Sequence, residues 1–483
     1  MSGRALGFAA TFLIPVILVR MFDQAGFGTY KQLFLIYFTL FGLAQLGMAE
    51  SLYYFLPVSP RESGHYVMNT MLVLALSGLV CAGLLAVAGP AINRWMNNGE
   101  LSRYIPWLAL HLWLMLASEA LERVMISRKQ YLLASFSYGF SDLLRAGFFT
   151  IPVLLLRQLE WLLICAVIFS ALRLCAMLLY LWREFAGTLR PDLRLLSQQL
   201  AYALPFTLAV MVETVQANFP QYAVSYYFDA ATFAIYAVGC LQIPFVDFIA
   251  SPVANVMMVG MTEEVRDGRG SAVVAMWHAT TRKLALVFFP LVGLLLVNAR
   301  EIILLLFTDM YLASVPIFMI WSTVLTLSAL QTDAVLRVYA QTRSIFALNV
   351  ARLLVIAVFI HWFLSALHLV GAVLITVLAS AVGKGLGLAK IKALWQIRLE
   401  DLLPWRSLGA IAGAATASGM AALLIKSVVE LSTLSLLATT SLVYAAMYVV
   451  LAVWFPLFNE EERLAFTDWL PSWTARPVKT EEL

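Results

Sequence analysis

The chain has 483 residues, of which 62% are hydrophobic and 12% charged. Water-soluble domains run near ~45–50% apolar and ~25% charged, so this composition excludes a soluble enzyme or a disordered chain. The net charge of +4, from 32 Lys+Arg against 28 Asp+Glu, is too small over this length to mark a nucleic-acid surface.

A helix crossing about 30 Å of hydrocarbon needs roughly 20 mostly apolar residues. Fourteen stretches meet that need, at 5–22, 32–56, 67–90, 104–122, 134–156, 161–182, 201–224, 235–258, 284–299, 315–336, 346–364, 370–389, 407–425 and 434–456. The seventh is interrupted by Pro205, Glu213 and Pro220, and the ninth runs on toward 302–307, so counts of twelve or thirteen stay open. Span one follows Arg4 and is too long for a signal-peptide core, with no small-x-small cleavage site after it. It is expected to remain in the mature protein.

Basic residues set the orientation. With the N-terminus inside, 21 of the 32 Lys and Arg fall in cytoplasmic segments, 7 in outer segments and 4 within spans. Lys31 and Lys426 are among the outer set, and both termini are expected in the cytoplasm. Cys81, Cys165, Cys175 and Cys240 lie in apolar spans at unrelated spacings, and the five histidines form no ligand pair. Neither a disulfide framework nor a metal or other cofactor is expected.

Phe22–Tyr30 (FDQAGFGTY) joins spans one and two, and Phe228–Tyr236 (FDAATFAIY) joins spans seven and eight. Five of nine positions are identical at an offset of 206, with Phe27, Gly28 and Tyr30 matching the places of Phe233, Ala234 and Tyr236. Each segment opens a six-span block, and Arg123-Val124 and Arg337-Val338 echo the same division. Six spans between equivalent points preserve orientation, which gives parallel repeats of the kind that carriers use for alternating access. The resulting layout is all-α and polytopic: a six-helix bundle at 1–182, a cytoplasmic linker at 183–200, a second bundle at 201–392, two added spans at 393–456 and a cytoplasmic tail at 457–483. There is no P-loop, which excludes ATP-driven transport by this chain alone.

An ionisable group in hydrocarbon costs ~2.5–3.5 kcal/mol on insertion scales and usually faces water or a partner. Glu50, Glu119, Asp142, Arg145, Arg173, Glu213, Asp247, Asp333, Arg352 and Lys384 all fall within spans, which argues for a polar interior. Asp142 and Arg145, three apart, can pair along one helix. Glu50 and Glu119 lie near inner ends and can reach the headgroups. Arg145, Arg173, Arg352 and Lys384 are candidate ligands for a phosphate in a central cavity. Glu213, Asp247 and Asp333 are candidates for coupling transport to a proton or sodium gradient. Span thirteen carries a small-residue stripe from Gly409 to Ala417, read either as tight helix packing or as the wall of a lipid-facing groove.

Several short motifs carry a family resemblance. Phe27-Gly28-Thr29-Tyr30 looks like a Phe-Gly-x-Tyr motif, and Leu46–Leu52 like a Leu-Gly-x-x-x-Ser-Leu segment. The apolar run from Ile302 to Tyr311 looks like the connection after span nine. With the 6+6+2 layout, the chain resembles the polysaccharide flippases of the multidrug/oligosaccharidyl-lipid/polysaccharide (MOP) exporter superfamily. That resemblance implies a MATE-like fold in the bacterial inner membrane and no enzymatic activity. It implies flipping of undecaprenyl-diphosphate-linked oligosaccharide repeat units for O-antigen or exopolysaccharide synthesis. A polymerase and glycosyltransferases of the same pathway would be neighbours. Many relatives carry an Asp-Arg pair in span seven where this chain has Pro220-Gln221, so that role is not transferred. The chain is also short before span one compared with the family.

Two other readings stay open. A MATE-type drug/cation antiporter would explain the acids, although spans thirteen and fourteen count against it. A membrane-embedded glycan polymerase, ligase or glycosyltransferase would need catalytic groups on a sizeable outer loop, and 91–103 is a short one.

Overall fold

The computed structural model describes residues 2–455, and every regular element among them is helical. In chain order the α-helices are α1 (Ser2–Met21), α2 (Gln24–Ala44), α3 (Met48–Val58), α4 (Ser63–Trp95), α5 (Leu101–Ala117), α6 (Leu121–Ser127), α7 (Tyr131–Leu156), α8 (Leu159–Phe185), α9 (Leu193–Tyr227) and α10 (Ala230–Gly239). They continue as α11 (Pro244–Arg266), α12 (Gly270–Val297), α13 (Ala299–Phe307), α14 (Val315–Leu327), α15 (Thr332–Val338), α16 (Thr342–Trp395), α17 (Leu399–Leu402), α18 (Trp405–Val428) and α19 (Thr433–Trp454). The tail expected at 457–483 lies outside the described residues. This is a multi-pass membrane protein. Ten helical stretches among the described residues are long and apolar enough to span a bilayer, eleven if a bent pair in α9 counts as one. A fourteen-span layout is compatible with these elements.

Four of the expected spans are broken at places that obey the repeat, and span seven is bent as well. Span two is α2 plus α3, and its counterpart, span eight, is α10 plus α11. Span four is α5 plus α6, and its counterpart, span ten, is α14 plus α15. In span two the break comes where Leu46 (φ 50°) and Gly47 (φ 63°) take left-handed backbone. That conformation costs glycine no Cβ clash. Any side chain at 47 would also press on the Thr207 hydroxyl, 2.8 Å from an added Cβ. Proline acts in α9, whose segments Leu193–Pro205 and Thr207–Tyr227 are inclined by 45°. Pro205 has no N–H for the ladder and its ring crowds the preceding turn.

The 54 residues of α16 would reach about 81 Å if straight, far more than a bilayer. The chain instead turns at His368 (φ 51°, ψ −134°), and a Cβ on Gly371 would run into the Phe363 carbonyl. Residues eight apart do not touch along a straight helix, so the two arms, matching spans eleven and twelve, fold back sharply.

The chain packs as two compact units. One comprises Met1–Pro244, Leu306–Trp321 and Gln341–Leu386; the other comprises Phe245–Leu305, Ser322–Ala340 and Gly387–Leu483. In the first, one buried core gathers Leu52 and Phe55 of α3, Tyr66 of α4, Val124 of α6 and Leu181 of α8. In the second, α12, α18 and α19 close around Val297, Ala422 and Tyr444. The tie is partly polar: Lys426 Nζ meets Glu301 at 2.7 Å, Thr440 donates to Asn298 at 2.6 Å, and Tyr444 donates to the Ala415 carbonyl at 3.1 Å. Lys426, expected in an outer segment, is thus built into the last turn of α18. The buried face of α18 runs through Ile411, Ala414, Ala415, Ser418 and Ala422, whereas Gly409 and Gly413 meet nothing within 4 Å among the described residues. The glycines of the stripe are therefore not its packing face.

Candidate functional site

The two repeated turns fold alike. Asp23 caps α2 by accepting from the Gly26 amide at 2.9 Å, and Asp229 caps α10 by accepting from the Thr232 amide at 2.9 Å. Both aspartates hold nearly the same backbone, φ −70° and −73°, ψ 172°. Hydrogen bonds from the Thr232 side chain and backbone hold the Asp229 carboxyl below the usual carboxylate range. Each cap is followed by an aromatic pair, Phe27–Tyr30 at 5.9 Å and Phe233–Tyr236 at 6.4 Å, and all four rings are buried.

The two turns also pack on each other within one unit. A Cβ on Gly28 would fall on the carbonyl of Ala230, so α2 and α10 approach backbone to backbone at that point. Tyr311 closes over Phe27 edge-on at 6.0 Å, and Gln24 donates to the Met310 carbonyl at 2.6 Å. Beside this contact lies a buried amide cluster. Gln32 donates to Ser225 of α9 at 2.7 Å and to the Met96 carbonyl at 3.1 Å, while Asn98 donates to Gln32 at 2.6 Å and to Thr29 at 2.9 Å.

Farther along the same unit lie the charged groups. Arg173 of α8 makes a two-pronged contact with Glu122 of α6, at 2.9 and 2.6 Å, and adds Ser141 at 2.8 Å. Glu122 is fully buried and also accepts from Ser137 at 3.1 Å. Arg123 bridges Glu119, in the break between α5 and α6, and Glu50 of α3, the latter at 3.2 Å. Arg145 pairs with Asp142 at 2.8 Å, as their spacing predicts.

These pairings redistribute the candidate residues. Two of the four expected phosphate ligands, Arg145 and Arg173, already face carboxylates. Arg352 differs: it makes no ion pair among the described residues, and its Nε is buried without a hydrogen-bond partner. It lies against Gly383, where a Cβ would strike the guanidinium, so the glycine beside Lys384 makes room for this arginine. Lys384 itself is half-buried. Among the acids, Glu213 is exposed on α9, and Asp333 is half-buried in the first turn of α15 with Thr332 donating to it at 3.4 Å. The side chain of Asp247 lies outside the described residues. Among the described residues no cluster of three His, Cys, Asp or Glu is arranged to hold a metal ion.

Two charged groups near the candidate site escaped sequence reading. Glu122 sits three residues after Glu119 in an apolar stretch, a spacing that marks a charged helix face once both are noticed. Lys31 was expected in an outer segment. Instead the Asp23 cap starts α2 at Gln24, which puts Lys31 inside the helix, with its ammonium 5.5 Å from the centre of the Phe27 ring.

The fold is shared with solved membrane transporters. The chain superposes on the lipid II flippase MurJ in an inward closed conformation with TM-score 0.72 at 12% identity, covering 93% of this chain and 98% of that one. An inward-facing multidrug resistance MATE transporter gives 0.65 at 13% identity, covering 80% and 96%. A MOP transporter from Pyrococcus furiosus, described by the reverse polarity of its binding pocket, gives 0.55 at 12%, covering 82% and 94%. No curated protein matches the sequence. Residues 17–316 match the family described as polysaccharide biosynthesis protein, and the chain belongs to that family.

Proposed function

We propose that the chain flips an undecaprenyl-diphosphate-linked oligosaccharide across the bacterial inner membrane by alternating access, with both termini in the cytoplasm. The observation that supports this most is the backbone contact between equivalent helices α2 and α10 at Gly28 and Ala230. Paired repeat elements that meet at one end of a bundle can close a pathway there and part to open it. Membership of a polysaccharide biosynthesis family supplies the substrate class. In this reading the polyprenyl tail stays in lipid and the diphosphate meets interior cations, among them Arg352, whose buried Nε has no hydrogen-bond partner among the described residues. Glu213, Asp247 and Asp333 are the groups proposed to couple transport to a proton or sodium gradient. A polymerase and glycosyltransferases would act before and after this step.

The test is the sidedness of the lipid-linked glycan in cells lacking the chain. Oligosaccharide stranded on the cytoplasmic leaflet is the expected result. Repeat units that reach the outer leaflet but stay unpolymerised would move the chain to a later step. Normal glycan export with new sensitivity to cationic drugs would make it an antiporter.

A further inference from the structure

Every arginine deep in the N-terminal helices that the structure describes with a carboxylate in reach is already matched: Arg123, Arg145 and Arg173 each hold one. Lys31 is the contrast. It makes no ion pair or hydrogen bond among the described residues, and its recorded partner is the face of Phe27. Eight residues beyond the Asp23 cap, it sits about 12 Å down the helix.

The surroundings of α2 say which way it looks. Tyr222 and Ser225 of α9 cover one flank of the helix through Leu35 and Gln32. His111 of α5 and Phe149 of α7 cover the opposite flank through Tyr37 and Phe34. The strip between them holds Lys31 and, two turns on, Phe38, which is 59% exposed on a helix otherwise largely buried. An ammonium left at that depth against hydrocarbon would cost ~2.5–3.5 kcal/mol, and interior basic groups without a partner face water or an anionic ligand. Phe27 beneath it adds a cation–π contact that holds the ammonium in place without neutralising it.

We propose that Lys31 is a binding contact for the diphosphate of the lipid-linked substrate; this rests on the flippase reading above. A flexible ammonium suits a moving phosphate, because it binds as a point charge and does not demand the fixed planar geometry of a guanidinium. The residue at the equivalent place of the second repeat, Ala237, cannot do this, so the contact belongs to one half only.

The experiment uses the full chain purified into phosphatidylcholine nanodiscs and titrated with undecaprenyl diphosphate, undecaprenol and inorganic diphosphate. For Lys31→Ala the expected result is at least tenfold weaker binding of undecaprenyl diphosphate, unchanged binding of undecaprenol, and recovery of most affinity in Lys31→Arg. Unchanged diphosphate affinity in Lys31→Ala would overturn the proposal. So would an equal loss for undecaprenol, which would mark a packing role. Inorganic diphosphate binding as tightly as the lipid, and equally dependent on Lys31, would reassign the contact to a free anion. A wild-type chain that binds no undecaprenyl diphosphate would sink the flippase reading itself, a result separable from the others because it needs no variant.

Discussion

The two repeated turns, one opening α2 and the other opening α10, share their scaffold and differ in their chemistry. Cap, backbone angles and aromatic pair coincide. Yet where the first turn continues into Lys31 and Gln32, the second continues into Ala237 and Val238. The first helix then runs 21 residues before its break, and the second runs only 10. What duplication preserved is the geometry that lets the turns meet; what diverged is the polar equipment on one side of the meeting. In the proposed reading, closure draws on both halves and the diphosphate contact at Lys31 belongs to the first.

The strongest way to break this comparison is at Gly28. A valine there places carbon on the Ala230 carbonyl, and backbone cannot yield as a side-chain tip can. Gly28→Val is expected to cut glycan export at least a hundredfold while the protein still reaches the membrane. The matched change Ala234→Val should do far less if the two turns are not interchangeable; pulse-chase export measured beside membrane abundance decides it.

Gln32 tests the divergent part. Gln32→Leu takes one partner each from the Asn98 amide, which keeps Thr29, and the Ser225 hydroxyl, which keeps the Met96 carbonyl at 3.5 Å. Each of the bonds Gln32 makes to Ser225, Met96 and Asn98 is worth about 0.5–1.5 kcal/mol, whereas Val238→Ala, at about 0.8 kcal/mol for each of two buried carbons, should cost roughly 1.6 kcal/mol. Thermal midpoints of the purified variants should fall in that order. An equal fall in both would remove the distinction between the turns.

The smallest effect concerns the shared caps. Replacing a capping aspartate by alanine costs about 1 kcal/mol. Because the folded-state pKa of Asp229 is depressed, its contribution is fully present above the ordinary carboxylate value near ~3.9. It is lost as pH falls through the lower folded value. Midpoints followed from pH 7 to pH 3 should drop less steeply for Asp229→Ser than for wild type, since serine caps without titrating. Parallel curves would mean that another group dominates the acid limb.

Much of this architecture could be read from the chain alone, because apolar length and the repeat are one-dimensional signals. The Asp142–Arg145 pair was legible for the same reason: three residues apart on a helix is a local relation. Lys31 fell outside the expected span because a hydropathy window starts a span where polar residues stop, at 32, whereas the chain starts its helix where a side chain caps it, at Asp23. The Arg173–Glu122 pair joins residues 51 apart, and no local spacing announces it. Arg352 against Gly383 is a contact of the same kind between the two arms of α16. Site residues were therefore legible as a set of charges in spans, but which of them were already neutralised was not.

The Arg173–Glu122 pair also bears on how the protein is made. Glu122 emerges from the ribosome 51 residues before its partner, an interval of about 3–10 s at ordinary elongation rates. During that time its carboxylate lacks the two-pronged Arg173 contact it holds in the fold, and a lone charge in the bilayer interior costs ~2.5–3.5 kcal/mol. That cost favours holding the segment bearing α5 and α6 at the translocon or the headgroup layer until α8 arrives. The pairing thus favours release of α5 through α8 into lipid as a group, with the late arginine acting as the signal that the group is complete.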